Sequence, residues 1–284
     1  MKAVVTAAVC PLTTAPRPDC ALADEALFGM VVEVLEETSG RYWKVRTHYR
    51  YEGYAPADCL LADANGVAAW EGLSKRVVLH KNSCDVLCAP TFQSRPRITL
   101  PLGAVVAAAE PPETEAESGK PTDWQKVLLP GGGEGYVRAS WLGTHYERPV
   151  DLPERELRQR LADTAMLYQR TQYRWGGKTP WGIDCSGLAS MAYLLNGIII
   201  YRDARMEPGF DLVEIPQEEI DVGDLLYFPG HVAMYLGRGS YLHATGRAGS
   251  DGVDFNSLEP GHPLYREDLA GKVTGVGSYR GFHL

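Results

Sequence analysis

The sequence predicts an α+β protein in which small antiparallel β-barrels precede a domain of helices packed on an antiparallel sheet. Three features lead to this fold class: short strands repeat in the first half, a helical pattern follows a linker marked by prolines, and a second helix precedes a pair of strands. At 284 residues the chain has room for two or three domains. Its 45% hydrophobic and 23% charged residues are typical of a folded globular protein.

The first half contains an internal repeat. YWKVRTHYRYEGYAPADCL at residues 42–60 parallels DWQKVLLPGGGEGYVRASWL at 123–142, since each has an aromatic-led strand, a turn, and Glu-Gly-Tyr with a leucine six residues later. Upstream, ALFGMVVEVLEE and LPLGAVVAAAEPPE each place a glycine before a β-branched run. Short strands separated by Gly/Pro turns predict two small barrels. The spacing resembles bacterial SH3-like domains, at residues 1–66 and 75–146.

The third predicted domain covers residues 150–284. Apolar residues recur at helical spacing near its start, so a helix opens it: Leu157, Leu161, Ala165 and Tyr168. A buried helix follows in LASMAYLL, and then a strand pair in GDLLYFPGHVAMYLG and SYLHATG. The order of these elements predicts chemistry at the junction of helix and sheet.

Cys185, in TPWGIDCSGLASMAYLL, stands in or just before the first turn of the predicted buried helix. Backbone N–H groups and the positive end of the helix dipole favour a thiolate there. His231 begins one predicted strand and His243 lies in the next, so a hairpin could bring both imidazoles to one edge, one as a base and one as its orienter. Each residue alone also fits an ordinary packing role, but the three together indicate a nucleophilic site.

The motifs WGIDCSGL, GDLLYFPGHVAMYLG and YLHATG, in that order, closely resemble the NlpC-type cysteine peptidases. These are papain-like enzymes that cleave peptidoglycan stem peptides, and members with two N-terminal SH3-like domains are γ-D-glutamyl-L-diamino acid endopeptidases. The resemblance implies that Cys185 is the nucleophile, His231 the general base and His243 the third residue that orients it. Tyr173 of YRWGG lies, by the same resemblance, near the oxyanion site, although a partly buried aromatic residue is the alternative.

The resemblance also implies a cleft closed at one end, which accepts stem peptides with a free N-terminal L-alanine. Asp184 matches the carboxylate that would bind the alanine ammonium, because an unpaired charge in a closed pocket is costly. Ser186 could bond the D-glutamate carboxylate or the peptide backbone. Asp203 of YRDARM is a second pocket candidate, with a solvated loop charge as the alternative, and Trp175 is also assigned to substrate binding.

The first barrel is expected to add two residues to the same pocket. Tyr51 of YRYEGY is predicted at a strand edge, where the resemblance implies a wall for the alanine site. Glu25, predicted in a long loop before LFGM, could supply another carboxylate to the ammonium. The alternative for both is an exposed barrel residue. Two further segments are predicted as loops: GRAGSDGVDFNSLEP at 246–260, which departs from the family pattern, and the acidic PPETEAESGKPTD at 111–123.

Charge and cysteine content limit the partners. The net charge is −8 and no Lys/Arg cluster forms a stripe, so nucleic acid is not expected to bind. The six cysteines include a C-x3-C pair with no second ligand pair nearby, so no metal or cofactor is expected. No apolar run is long enough to span a membrane. The protein is expected to be a monomer in the cytoplasm with reduced cysteines. If a signal has been removed, it would be secreted or periplasmic, and its cysteines could then form disulfides.

Two other functions remain open on the sequence alone. SH3-like repeats can tether proteins to the cell wall, so the chain could be a wall-binding protein with a degenerate catalytic domain. The same three residues could also serve a papain-like amidase or acyltransferase. The expected function is a cysteine endopeptidase that cuts between γ-D-glutamate and the diamino acid of stem peptides with a free L-alanine.

Overall fold

A computed structural model describes residues 1–38, 41–80, 82–109, 114 and 122–283. The chain divides into two compact units, Met1–His145 and Tyr146–Leu284. Most of the acidic segment predicted as an exposed loop at 111–123 lies outside the described residues. No helix in the described part of the chain is long and apolar enough to cross a bilayer.

Two seven-stranded antiparallel sheets make up most of the described part of the first unit. The first sheet contains β1 (Lys2–Val5), β2 (Val9–Thr13), β3 (Leu22–Leu27), β4 (Val31–Glu37), β5 (Tyr42–Thr47), β6 (Glu52–Pro56) and β7 (Leu60–Leu61). The second contains β8 (Lys75–Val78), β9 (Ser83–Leu87), β10 (Pro96–Pro101), β11 (Val105–Ala108), β12 (Trp124–Leu129), β13 (Gly133–Arg138) and β14 (Leu142–Thr144).

The two sheets have the same strand order. The first runs β3-β2-β6-β5-β4-β1-β7 and the second β10-β9-β13-β12-β11-β8-β14, so each strand of one has a counterpart seven positions later. The Glu-Gly-Tyr of the sequence repeat falls in β6 and β13. A Cβ at Gly53 would lie 2.8 Å from Cβ of Leu12, and one at Gly135 would lie 2.4 Å from Cγ1 of Val86. The repeat therefore keeps glycine where a neighbouring strand approaches too closely for a side chain.

A short helix, α1 (Ala64–Glu71), follows the first sheet. The Asp63 side chain caps it by accepting from the N–H of Gly66 at 2.7 Å. Val67 and Trp70 pack in one apolar cluster with residues of both sheets, Val4, Val105 and Ala107. The interval left between the two predicted barrels is thus largely helical, and its two buried side chains pack against both sheets.

The second unit packs two helices on one antiparallel sheet, as predicted. Its elements are α2 (Glu154–Met166), β15 (Lys178–Thr179), β16 (Gly182–Ile183), α3 (Cys185–Leu194), β17 (Leu212–Ile215), β18 (Leu225–Phe228), β19 (His231–Gly237), β20 (Ser240–Arg247), β21 (Ser250–Ser257) and β22 (Gly275–Tyr279). The six-stranded sheet runs β17-β22-β18-β19-β20-β21, and β15 pairs with β16. Helix α3 contacts β19 and β20, and α2 contacts α3 and β19. This packing sets the start of α3 beside the strand that begins with His231.

One predicted loop is a strand. Most of the Gly-rich segment 246–260 forms the end of β20 and all of β21, which pair from Ser240 opposite Ser257 to Arg247 opposite Ser250. The loop prediction followed the local glycine and charge content. Pairing with β20 outweighs that content, because strand formation depends more on neighbouring strands than on intrinsic preference.

Candidate active site

Cys185 is the first residue of α3 and is 7% exposed. The preceding Asp184 is the N-cap, and its Oδ1 accepts from the N–H of Gly187 at 2.6 Å. A Cβ at Gly187 would lie 2.1 Å from the carbonyl oxygen of Gly177, so only glycine lets the first turn of α3 approach the 176–177 loop so closely. The WGIDCSGL motif therefore fixes the position of the thiol through a cap and a close backbone contact.

A buried charged cluster supports this side of the site. Arg202, 2% exposed, donates from Nη1 to Oδ1 of Asp184 at 3.0 Å and from Nη2 to its Oδ2 at 3.2 Å. The same guanidinium donates to Oγ of Ser186 at 2.8 Å and to the carbonyl of Gly177 at 3.2 Å. The N–H of Gly176 donates to Oδ2 of Asp184 at 2.7 Å. Arg202 thus links its own segment to the start of α3 and to the 176–177 loop.

This cluster bears on the predicted role of Asp184. Its two oxygens accept from Arg202, Ser186 and the N–H groups of Gly176 and Gly187. A carboxylate has about four lone-pair positions, so these donors fill them. An ammonium group that reached Asp184 would have to share or displace a donor, and its binding there stays a prediction.

The two histidines lie against each other in the second unit. Nε2 of His231 and Nδ1 of His243 are 2.7 Å apart, and Nε2 of His243 is 2.8 Å from Oδ1 of Asn256. Nδ2 of Asn256 donates to the carbonyl of Leu264 at 3.0 Å. His243 is fully buried and His231 is partly exposed. Strands β19, β20 and β21 therefore supply a continuous hydrogen-bonded row that ends on a backbone carbonyl.

Burial dominates the ionisation of the site. It raises the pKa of the Cys185 thiol to about 11, assisted by the charge of Asp184 and opposed by backbone hydrogen bonds at Val232 and Ser186. Burial lowers the pKa of His231 to about 3 and that of His243 to about 4. The sequence favoured a thiolate at the helix start. The structure corrects this expectation, because desolvation outweighs the helix terminus and leaves thiol and imidazole neutral at pH 7.

Tyr173 lies beside the cysteine. Its backbone bridges to Ile183 of β16, two residues before Cys185. Burial raises the pKa of Tyr173 to about 12, and the charges of Cys185 and Asp184 act in the same direction. The phenol therefore keeps its proton at neutral pH and can donate a hydrogen bond.

The other residues predicted in this unit have different surroundings. Ser186 is 8% exposed and belongs to the Arg202 cluster. Trp175 is 68% exposed, and it directly precedes Gly176, whose N–H donates to Asp184. Asp203 is partly exposed, and its Oδ2 lies 4.0 Å from Nη1 of Arg205. Their contacts with substrate stay predictions.

Two predictions for the first unit place residues in the wrong local structure. Glu25 was expected in a loop, but it is part of β3, opposite Pro11 of β2, and is 3% exposed. Tyr51 was expected at a strand edge, but it lies in the turn before β6, where its N–H donates to Oγ1 of Thr47 at 3.0 Å. Strand pairing in one case and a closed turn in the other override the local sequence signals. Their proposed contacts with substrate remain predictions.

Sequence reasoning missed two residues of the site. Arg202 directly precedes the candidate Asp203 in YRDARM, and an arginine flanked by a motif aspartate was a usable signal for a buried ion pair. Asn256 carried no such signal, because it lies in the segment predicted as a loop. No group of three or more His, Cys, Asp or Glu residues suited to a metal occurs in the described part of the chain.

Comparison with known proteins gives the family. The model of the NlpC/P60 family matches residues 170–266, and a model described as the bacterial dipeptidyl-peptidase SH3 domain matches residues 12–60. Dipeptidyl-peptidase 6 of Lysinibacillus sphaericus is 42% identical over 278 residues, which is 98% of this chain and 99% of that protein. The chain belongs to the NlpC/P60 family. The sequence resemblance is thereby confirmed, and the chain is a hydrolase of the peptidase class.

Two further similar proteins agree with this placement. A gamma-D-glutamyl-L-lysine dipeptidyl-peptidase of Bacillus cereus is 32% identical over 154 residues, which is 51% of this chain and 44% of that protein. A crystal structure of an NlpC/P60 family protein from Bacillus cereus shares the fold, with a TM-score of 0.76, 21% identity, and coverage of 98% of this chain and 99% of that chain. The NlpC/P60 match includes Cys185, His231 and His243, and the SH3 match lies within the first sheet and its connections.

Proposed function

We propose that this NlpC/P60 peptidase cuts the bond between the γ-carbonyl of D-glutamate and the amino nitrogen of a diamino acid in peptidoglycan stem peptides. The substrate would carry a free N-terminal L-alanine, and the product would be the dipeptide L-Ala-γ-D-Glu. Relatives named dipeptidyl-peptidase and gamma-D-glutamyl-L-lysine dipeptidyl-peptidase support this choice. The observation that carries it is the 2.7 Å contact between His231 and His243, on the strands against which the cysteine-bearing helix packs.

The neutral resting state sets the order of proton transfers. His231 takes the thiol proton as the sulfur of Cys185 attacks the γ-carbonyl carbon, because neither group is ionised beforehand at pH 7. The imidazolium then gives this proton to the diamino acid nitrogen as the C–N bond breaks, leaving a thioester. Water, deprotonated by His231, hydrolyses the thioester and restores the thiol. His243 stabilises the imidazolium by accepting from Nε2 of His231.

The oxyanion that forms at each attack needs donors. The N–H of Cys185, at the start of α3, and the hydroxyl of Tyr173 are the donors that we propose. The place of Tyr173 supports its part, since its backbone pairs with Ile183, two residues before Cys185. One such donor is commonly worth about 2.7 to 4 kcal/mol in the transition state.

Substrate recognition is proposed for the residues on the cysteine side. Asp184 and Asp203 are the carboxylate candidates for the alanine ammonium, and Ser186 is the candidate for the D-glutamate end. Trp175 offers an exposed aromatic surface on the adjoining loop.

We also propose that the second sheet is a second SH3-like unit, which would make three domains at residues 1–66, 75–146 and 150–284. Its strand order, which equals that of the family-matched first sheet, supports this. A cytoplasmic location, and with it a role in recycling stem peptides, is likewise proposed.

The test is mass spectrometry after incubation with L-Ala-γ-D-Glu-meso-diaminopimelate. We expect release of L-Ala-γ-D-Glu and free diaminopimelate by the intact chain, and no turnover by Cys185→Ala, because the thioester route is lost. Cys20→Ala, at a partly exposed thiol in the first unit, is the matched control and should retain full activity.

The same assay separates the alternatives. An inactive chain that still binds cell walls would indicate a degenerate catalytic domain. Turnover of a simple amide or ester but not of the tripeptide would indicate an amidase or acyltransferase. Activity retained in Cys185→Ala would overturn the mechanism.

A further inference from the structure

Asn256 occupies a defined place behind the histidine pair. It lies in β21, opposite Tyr241 of β20, and the residue as a whole is 9% exposed. It joins two partners, Nε2 of His243 at 2.8 Å and the carbonyl of Leu264 at 3.0 Å. Because an amide side chain has one acceptor end and one donor end, its orientation decides what the histidine must do.

The Leu264 carbonyl determines that orientation. It accepts from the backbone N–H of Ser257 at 2.9 Å as well as from Nδ2 of Asn256. Ser257 is fully buried, and its own carbonyl accepts from the N–H of Arg266, so the 264–266 segment is held to β21 on both sides. A carbonyl oxygen can only accept, and the amide therefore turns Nδ2 to Leu264 and Oδ1 to His243.

The proton positions follow one after another. Oδ1 of Asn256 requires a proton on Nε2 of His243. A neutral imidazole carries one proton, so Nδ1 of His243 is an acceptor and Nε2 of His231 must donate to it. The proton of His231 is then on Nε2, and its Nδ1 is unprotonated. The reverse arrangement would protonate Nδ1 of His231 and leave it unable to accept.

We propose that Asn256 is a positioning residue that sets the tautomer of both histidines, so that Nδ1 of His231 is ready to accept the thiol proton. The use of this proton rests on the proposed function, but the tautomer itself does not. Removing an orienting acceptor from a catalytic imidazole acts through the wrong tautomer, as the serine protease triad illustrates. Here a neutral amide held by a backbone carbonyl would have that part.

The charged and titratable neighbours of the pair are Arg266, Asp268 and Asp184, together with the Tyr241 ring 5.2 Å from that of His243. The Cys185 thiol forms a backbone hydrogen bond at Val232, the residue after His231. Arg266 is paired with Asp268 through Nε and Nη2, both at 2.7 Å. That ion pair largely offsets its own charge, so it does not select one neutral tautomer over the other. The amide of Asn256 does select a tautomer, because its acceptor end faces His243 and its donor end faces the Leu264 carbonyl.

The experiment is nitrogen-15 NMR of the histidine side chains in the full chain at pH 7.5, together with kcat and KM on the tripeptide. Signals of His231 and His243 are assigned with His231→Gln and His243→Gln. We expect Nε2–H on both histidines in the unaltered chain. In Asn256→Leu we expect a population with Nδ1–H and a kcat about tenfold to hundredfold lower, with KM little changed.

Asn256→Asp is the second variant, because a carboxylate keeps the acceptor at His243. It should retain Nε2–H on His243, a result that can be obtained even if the leucine variant is too unstable to study. Where both variants fold, its kcat should be higher than that of Asn256→Leu. Glu259→Gln, at an exposed position just after β21, should change neither tautomer nor kcat. Nε2–H on both histidines in Asn256→Leu, or Nδ1–H in the unaltered chain, would overturn the proposal. Failure to cleave the tripeptide with the expected tautomers present would instead refute the proposed function.

Discussion

The two sides of the site are held by opposite kinds of interaction. On the cysteine side, Asp184 and Arg202 form a buried ion pair that ties the start of α3 to the 176–177 loop. On the histidine side, His231, His243 and Asn256 form a row of neutral groups. A buried charge needs a partner and so gives rigid positions, whereas a row of neutral groups fixes which imidazole nitrogen is unprotonated. The cysteine side therefore places the nucleophile, and the histidine side presents His231 as a proton acceptor.

Breaking the ion pair should have the largest effect on stability. Arg202→Ala leaves the Asp184 carboxylate buried without a cation, which typically costs about 3 to 5 kcal/mol. We expect that loss in the free energy of unfolding of the second unit, measured by denaturant titration.

The matched control is Arg205→Ala, since Arg205 bonds Glu207 at 3.1 Å but is 60% exposed. An exposed pair is worth about 1 kcal/mol or less. Similar losses in the two variants would mean that the cysteine side is not held by buried charge.

Acid should weaken the histidine side. The folded pKa values of His231 and His243, about 3 and about 4, lie below the unfolded value of about 6.5. The unfolded chain therefore takes up protons first, and stability that is fully present above pH 6.5 is lost as the pH falls towards 4 for His243 and towards 3 for His231. At pH 5.5 each histidine should account for about 1.4 kcal/mol.

Denaturant titrations at pH 7.5 and 5.5 measure this loss, which we expect to reach about 3 kcal/mol for the two histidines. His243→Gln should remove about half of the difference in unfolding free energy between pH 7.5 and pH 5.5. Equal stability of the unaltered chain at both pH values would contradict neutral, buried histidines.

N-acetylation of the substrate tests whether the cysteine side also binds the ammonium group of the L-alanine. N-acetylation of the L-alanine removes its ammonium and adds bulk, so kcat/KM should fall about tenfold to hundredfold, as expected for a lost charge-assisted hydrogen bond of about 1.5 to 3 kcal/mol. Comparable rates on free and acetylated tripeptides would overturn the closed pocket.

Two variants identify the carboxylate responsible. The preference for the free amine should shrink in Asp184→Asn if Asp184 binds the ammonium despite its filled acceptor positions. It should shrink in Asp203→Asn if the more exposed Asp203 does so. An unchanged preference in both would mean that neither carboxylate binds the ammonium.

The sequence by itself determined the family, the repeat, and the three residues Cys185, His231 and His243 as candidates, because these depend on short motifs and on regular spacing of apolar residues. It also placed α2, α3, β19 and β20, whose patterns are strong locally. The tertiary structure alone decided that Arg202 is the counter-ion of Asp184, that Asn256 follows His243 in the row, and that Glu25 is buried in a strand. Each of these depends on pairing between distant segments, which no local pattern encodes. The same holds for the thiol of Cys185: the helix start favours its charge, but the amount of protein packed around it decided that it is neutral.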